Sequence, residues 1–237
     1  MQIALIPFFN SSHSNTIEED FDALYLIDVY RATSTMTVAS NQGATLIKAI
    51  GSLEKAYEEK NKNPGVFLCG ERDSQKPEDF DFGNSPKGLT QIDLHEKTCL
   101  ITTSNGTRAL EAFCKNSSKY FACSVLNLNA VAEHIIKNMF ERVLVVCAGS
   151  WGKFSLEDYL CACLLIKSLN KVIENVEDDI KLALSTGNYY HKEYKKLIRE
   201  LSNTQHAQKL KSLDKYEDVM FITRNINSFK CVPEIIM

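Results

Sequence analysis

The chain has 237 residues, 44% of them hydrophobic and 24% charged, with a formal net charge of -3, a balance typical of soluble globular proteins. This charge provides no basic field for nucleic acid, and no apolar run approaches the roughly 18 residues of a membrane-spanning helix. The first residues lack the basic and apolar segments of a signal peptide. The eight cysteines have no metal or disulfide spacing, so we expect reduced thiols in a cytoplasmic protein. From the charge and the lack of a long apolar run, we expect neither nucleic acid nor a membrane as partner.

Strand and helix patterns alternate along the first two thirds of the chain. Apolar runs predict strands at 3–7, 23–29, 45–50, 66–69, 99–102, 120–124 and 142–148, and helices are predicted at 33–41, 53–62, 107–115, 129–140 and 155–176. The last third is predicted to be mostly helical, at 192–201 and 207–213, with a late strand at 219–223. The alternation predicts an α/β fold of three layers, α/β/α, with a mixed sheet flanked by helices. We expect a single domain over 1–237, or two intimately packed halves, 1–125 and 126–237.

Three short polar blocks each carry an arginine, and two of them lie between a predicted strand and a predicted helix. The blocks are DVYRATST at 28–35, GERD at 70–73 and TTSNGTRA at 102–109. An arginine keeps its charge and is costly to bury unpaired. An isolated arginine more often forms a surface salt bridge, but three in such similar settings favour one anion-binding crevice beyond the strand ends.

The same blocks contain groups that suit a phosphorylated ligand. Helix N-termini offer unpaired N–H groups to anions, and Thr33, Ser104 and Thr107 add hydroxyl donors beside them. Gly106 permits a close backbone approach. Each arginine is able to make a forked contact to phosphate, carboxylate or sulfonate. The pattern therefore predicts a small acidic, phosphorylated ligand.

Two carboxylates in these blocks predict a magnesium site. Asp28 and Glu71 each end a predicted strand, and Mg²⁺ takes a few protein oxygens together with water and phosphate oxygens. The alternative is that each carboxylate pairs with a neighbouring arginine. Other phosphate chemistries lack their motifs, because the sequence has no Walker A loop, no G-x-G-x-x-G and no cysteine followed by five residues and an arginine.

Five blocks resemble the signature blocks of the 2-phosphosulfolactate phosphatase family in order and approximate spacing. They are DVYRAT at 28–33, GER at 70–72, FDFGNSP at 80–86, TTSNGTRA at 102–109 and AGSWGKFSLED at 148–158, and weaker likeness covers nearly the whole chain. The resemblance implies a magnesium-dependent phosphatase of α/β architecture. Its members remove phosphate from 2-phospho-3-sulfolactate, a step toward coenzyme M in methanogens. The chain departs from the pattern at Tyr30, Ser104 and Trp151 but keeps the charged residues.

These observations lead to a hypothesis for the reaction. Mg²⁺ is held by Asp28 and Glu71, the arginines stabilise charge on the phosphoryl oxygens, and Glu157 or Asp158 acts as general base. The predicted catalytic residues are Asp28, Arg31, Glu71, Arg108, Glu157 and Asp158. The predicted substrate-binding residues are Arg31, Thr33, Arg72, Asn84, Ser85, Ser104, Asn105, Gly106, Thr107, Arg108, Asn127 and Lys153.

Alternatives to this hypothesis come from other functional classes. One is a phosphatase, phosphotransferase or lyase that acts on another phosphorylated hydroxy acid at the same anion site. Another is a non-enzymatic sensor that binds such an anion. In every case the expected partner is a small phosphorylated sulfo- or hydroxy-acid, and the sequence leaves open whether the chain forms a homo-oligomer.

Overall fold

Buried strands alternate with helices through most of the chain. The computed structural model describes residues 1–10, 17, 19–72, 74–174 and 176–237. The strands are β1 (Gln2–Ile6), β2 (Ala23–Ile27), β3 (Leu46–Ala49), β4 (Phe67–Gly70), β5 (Thr98–Thr102), β6 (Tyr120–Cys123), β7 (Arg142–Cys147) and β8 (Glu234–Ile236). The helices are α1 (Ala32–Asn41), α2 (Leu53–Lys62), α3 (Pro86–Leu89), α4 (Gly106–Phe113), α5 (Leu128–Lys137), α6 (Leu156–Ser168), α7 (Asp178–Lys192), α8 (Tyr194–Asn203), α9 (Gln205–Ser212) and α10 (Tyr216–Arg224).

The strands form a mixed sheet in the order β1-β7-β2-β6-β8-β3-β5-β4. Neighbouring strands are parallel except for β6 and β8, which pair antiparallel. That pair divides the sheet into a first half, β1-β7-β2-β6, and a second half, β8-β3-β5-β4, whose strands run in opposite directions. The predicted α/β fold with a mixed sheet is therefore confirmed.

The centre of the first half is covered on both faces. Every residue of β2 is fully buried, and in β7 all residues from Val143 to Cys147 are fully buried. Continuous apolar strands of this kind are typical of parallel sheets between helical layers. None of the described helices is long and apolar enough to cross a bilayer.

The C-terminal third differs from the sequence prediction in three places. One is β8 (Glu234–Ile236), where no strand was predicted. The predicted strand at 219–223 is wrong, because these residues lie in α10, where Val219, Ile222 and Thr223 are buried at helical spacing. Packing of this face overrides the strand preference of β-branched residues. The predicted helix at 155–176 is too long, since α6 ends at Ser168 and a separate helix, α7, begins at Asp178.

Candidate active site

Loops from both halves of the sheet meet at one polar cleft. Asp28 follows β2 and Ser150 follows β7 in the first half, whereas Glu71 follows β4 and Ser104 follows β5 in the second half. The remaining lining comes from these loops, the segment before α3 and α9: Tyr30, Arg31, Ser74, Asn84, Thr103, Asn105, Trp151, His206, Lys209 and Leu210. Each of the five signature blocks therefore contributes at least one residue to the same site.

Asp28 lies at the floor of the cleft and is held by the first turn of α1. Its Oδ1 accepts a hydrogen bond from the Ala32 N–H at 3.3 Å. Thr33 is fully buried, and its hydroxyl donates to the Asp28 carbonyl and accepts from the Asp28 N–H. Gly106 lies beside the carboxylate, where a Cβ would be 3.2 Å from Asp28 Oδ2. Thr33 and Gly106 therefore help to position Asp28 but do not line the cleft themselves.

The surroundings of Asp28 disfavour its charged form. Burial raises the pKa of Asp28 to about 6, and the charges of Glu71 and Glu157 act in the same direction, whereas His206 opposes them. At neutral pH this carboxylate is ionised and its charge is poorly compensated by the protein. A cation that binds against Asp28 therefore relieves an existing electrostatic cost.

Glu71 joins the loops of the second half. Its Oε1 accepts from the Ser104 N–H at 3.0 Å and its Oε2 accepts from the Ser74 N–H at 2.6 Å. Close passage of β4 along β5 depends on Gly70, whose φ is 150° and whose Cβ, if present, would lie 2.2 Å from the Thr102 carbonyl oxygen. Glu71 therefore enters the cleft from a tightly constrained strand end.

Arg31 is the buried cation of the cleft. It is 5% exposed, and its Nη1 donates to Asp218 Oδ2 at 2.7 Å. Asp218 Oδ1 in turn accepts from the Ser85 hydroxyl at 2.7 Å and from the Lys87 N–H at 3.1 Å. Ser85 therefore acts behind the cleft by holding the partner of Arg31. Its neighbour Asn84 does line the cleft, and Asn84 Oδ1 is buried without a hydrogen-bond partner among the described residues.

The other two arginines of the predicted crevice are placed differently. Arg72 donates to the Gly51 carbonyl at 2.8 Å and to the Glu71 carbonyl at 2.9 Å, so its guanidinium fixes backbone and is absent from the cleft lining. Arg108 is exposed and lies in a neighbouring recess together with Asn105 and Trp151. Of the three arginines, Arg31 therefore lies in the cleft, Arg108 lies beside it, and Arg72 stabilises the backbone.

The two acids at the start of α6 have separate surroundings. Asp158 accepts from the Val29 N–H at 2.8 Å and the Gly149 N–H at 3.1 Å, which ties the loop after β2 to the loop after β7. Burial, and then the charge of Glu157, raise the pKa of Asp158 well above its usual range. Asp158 is thus enclosed behind the cleft, whereas Glu157 lines a cavity next to it.

Three further predicted residues lie outside the cleft lining. The Thr107 N–H donates to the Thr103 hydroxyl at 3.3 Å inside the first turn of α4. Asn127 is buried after β6, where its amide donates to backbone carbonyls, including that of Cys231 at 3.1 Å. Lys153 is exposed at the adjacent cavity, close to the rim.

Several residues of the site were not predicted from the sequence. His206 and Lys209 on α9 line the cleft, as do Tyr30 and Ser74, and Asp218 on α10 holds Arg31. An acid on the buried face of an amphipathic helix is a signal that could have revealed Asp218, since such positions are normally apolar. No comparable local pattern marks His206.

Sequence comparisons agree with the resemblance of the five blocks. The family model for 2-phosphosulpholactate phosphatase matches residues 10–236. A protein of Thermotoga petrophila is 37% identical over 212 residues, which make up 89% of this chain and 88% of the relative. A protein of Caldanaerobacter subterraneus subsp. tengcongensis is 34% identical over 231 residues, 96% of this chain and 92% of the relative. Both relatives bear the name "probable 2-phosphosulfolactate phosphatase".

The family match spans nearly the whole chain and therefore includes every residue of the cleft lining. A protein of Clostridium botulinum with the same name adds a further match, 35% identical over 83% of this chain and 82% of the relative. The chain therefore belongs to the 2-phosphosulfolactate phosphatase family, a family of phosphoric monoester hydrolases.

Proposed function

We propose that this chain is a magnesium-dependent phosphatase that converts 2-phospho-3-sulfolactate to 3-sulfolactate and inorganic phosphate. One observation carries the proposal: the carboxylates of Asp28 and Glu71 and the guanidinium of Arg31 line one cleft, although they come from opposite halves of the sheet. The names of the relatives support the choice of substrate. The free and mostly buried cysteines support a cytoplasmic location.

The cleft and its rim suit a substrate with several negative charges. Arg31 uses one nitrogen for Asp218, and a guanidinium has five donors in all, so donors remain for phosphoryl oxygens. The Ser104 hydroxyl is buried without a hydrogen-bond partner among the described residues and is therefore available to the same ligand. At the rim, Arg108, Lys153 and Lys209 are exposed cations that attract the carboxylate and sulfonate of the substrate.

The donor set of the cleft fits a magnesium ion. The described residues contain no group of three or more His, Cys, Asp or Glu side chains arranged around a metal position, but Mg²⁺ needs only one or two carboxylates when phosphate and water complete its shell. Asp28 and Glu71 would hold the ion, and the unpartnered Asn84 Oδ1 is a further hard oxygen donor. When bound, Mg²⁺ would neutralise charge on the phosphoryl group and offset the burial, and the lesser repulsion from Glu71 and Glu157, that raise the pKa of Asp28.

The chain's own groups then stabilise the transition state. Arg31 is fixed by Asp218 before substrate arrives, so its donors need little rearrangement as charge develops on the phosphoryl oxygens. The N-terminus of α4, beginning at Gly106, adds its positive dipole end beside Ser104 and Asn105. Buried donors of this kind are stronger than exposed ones because water does not screen them.

A phosphate-release assay tests the proposal. Purified protein is incubated with 2-phospho-3-sulfolactate in Mg²⁺ or in EDTA, with 2-phospholactate, which lacks the sulfonate, as the matched substrate control. We expect phosphate and 3-sulfolactate in equal amounts, only with Mg²⁺, and slower release from 2-phospholactate. Phosphate without 3-sulfolactate would indicate a lyase, and transfer to an added acceptor would indicate a phosphotransferase. Thermal stabilisation without turnover would support the anion sensor instead.

A further inference from the structure

A second cavity adjoins the catalytic cleft across α9. Its volume is about 730 Å³ and its lining includes Phe154, Leu156 and the carboxylate-bearing Glu157. His206 and Lys209 line both this cavity and the cleft. His206 therefore lies at the boundary between the phosphate-binding groups and a space large enough for an organic group.

Glu157 has an unusual environment on this boundary. Its side chain is 2% exposed, and its Oε1 lies 3.2 Å from His206 Nδ1. That oxygen makes no hydrogen bond of good geometry with a described residue, and a buried carboxylate without a partner is costly. A proton on His206 gives Glu157 the cation that it lacks. Because Nδ1 faces Glu157, the opposite nitrogen, Nε2, is the one available to the cleft.

We propose that His206 donates a proton from Nε2 to the leaving oxygen of the ester, and that Glu157 positions the protonated imidazole. The inference rests on the proposed phosphatase function. Charged groups near His206 include the carboxylates of Glu157 and Asp28. Arg31, Glu71 and Lys209 line the same cleft, and Lys153 lines the second cavity. The ring of Tyr30 packs edge-on against the imidazole, with 6.2 Å between ring centroids.

The reaction creates a need for such a proton. Water forms a bond to phosphorus and gives up one proton to solvent while the bond between phosphorus and the ester oxygen breaks, and the electron pair of that bond remains on the ester oxygen. An aliphatic alkoxide is a poor leaving group, so a proton delivered to it accelerates the reaction, typically by about 10²–10⁴-fold. His206 is left neutral after the transfer and regains a proton from solvent.

The other acids are less suited to this role. Both carboxylate oxygens of Asp158 accept backbone N–H groups, and the residue is absent from the cleft lining. Both oxygens of Glu71 also accept backbone N–H groups. His206, by contrast, has a carboxylate oxygen 3.2 Å from one ring nitrogen and lines both cavities.

The dependence of rate on the leaving group tests this role. His206→Gln and wild type are compared on a series of phosphate esters: 2-phospho-3-sulfolactate, 2-phospholactate, phenyl phosphate and p-nitrophenyl phosphate. We expect His206→Gln to lose about 100-fold or more in kcat on the aliphatic esters. We expect a loss below about tenfold for the most acidic leaving group, which departs without a proton. Glu157→Gln should follow the same pattern with smaller losses.

Lys209→Gln is the matched control, because Lys209 lines the same two cavities as His206 and has no part in the proposed proton transfer. Its losses should follow the carboxylate and sulfonate that an ester carries, and should be equal on phenyl phosphate and p-nitrophenyl phosphate, which carry neither but differ in the acidity of the leaving group. Equal losses across the series for His206→Gln would overturn the inference while leaving the phosphatase function intact. If wild type releases phosphate from no ester, the proposed function itself fails.

Discussion

The floor and the rim of the cleft hold their charges in different ways. The floor consists of Asp28, Arg31 and Glu71, which are buried or half-buried and fixed by hydrogen bonds to backbone or by an ion pair. The rim consists of Arg108, Lys153 and Lys209, which are exposed. Solvent screens interactions between charges weakly at the floor and strongly at the rim. Removing one charge should therefore change activity more at the floor than at the rim.

The floor and the rim also have different tasks. Groups at the floor are fixed before substrate binds, as electrostatic stabilisation of a transition state requires. Groups at the rim are exposed and attract an anion from solution, which affects association more than the chemical step. Substitutions that separate kcat from KM therefore test the distinction directly.

The largest loss is expected from removing a carboxylate at the floor. Asp28→Asn and Glu71→Gln should each reduce Mg²⁺-stimulated phosphate release by at least about 100-fold, because each would remove a ligand of the ion that stabilises charge on the phosphoryl group. Steady-state kinetics over a range of Mg²⁺ concentrations measure the effect, and unchanged circular dichroism is the control. Activity close to wild type in both variants would remove these residues as metal ligands.

Asp28→Asn should increase the stability of the folded protein, although it decreases activity. The folded-state pKa of Asp28 is raised to about 6 from 3.8, so the folded protein binds a proton more tightly than the unfolded chain. Its contribution to stability is complete below about pH 4 and is lost as the pH rises to about 6. In EDTA at pH 7, we expect Asp28→Asn to be more stable by about 2–3 kcal/mol. Thermal melts at pH 7 and pH 4 measure this, and an advantage that persists at pH 4 would contradict the explanation.

The ion pair behind the floor should have an intermediate effect. Asp218→Asn leaves Arg31 without its buried carboxylate, and a lost charged hydrogen bond costs about 1.5–3 kcal/mol. We expect kcat/KM to fall by roughly 10- to 100-fold and the urea midpoint to decrease. Glu217→Gln is the neighbouring control, because Glu217 pairs with Lys87 at the surface. If both variants behave like wild type, Arg31 does not depend on Asp218.

The smallest effect is expected at the rim. Arg108→Ala should raise KM by about threefold to tenfold with little change in kcat, and the difference should shrink as salt screens exposed charges. Arg199→Ala, which removes an exposed arginine on α8 away from the cleft, is the control and should match wild type. A large fall in kcat for Arg108→Ala would place Arg108 with the floor residues.

Much of the fold was predictable because local patterns determine it. The apolar runs of β2 and β7 are local signals, and they predicted both strands correctly. The strand predicted at 219–223 failed because the burial of one face of α10 decides that segment. Arg72 was assigned to the substrate on its block alone, whereas the structure directs it to the Gly51 carbonyl.

The sequence by itself determined part of the chemistry of the site, because strand-end loops place Asp28, Glu71 and Ser104 at positions that short motifs reveal. Only the tertiary structure decided how these groups meet. The antiparallel β6–β8 pair reverses the second half of the sheet, and Arg31 finds Asp218 at a separation of 187 residues. Contacts of that range depend on the packing of whole layers, for which no local pattern in the chain carries a signal.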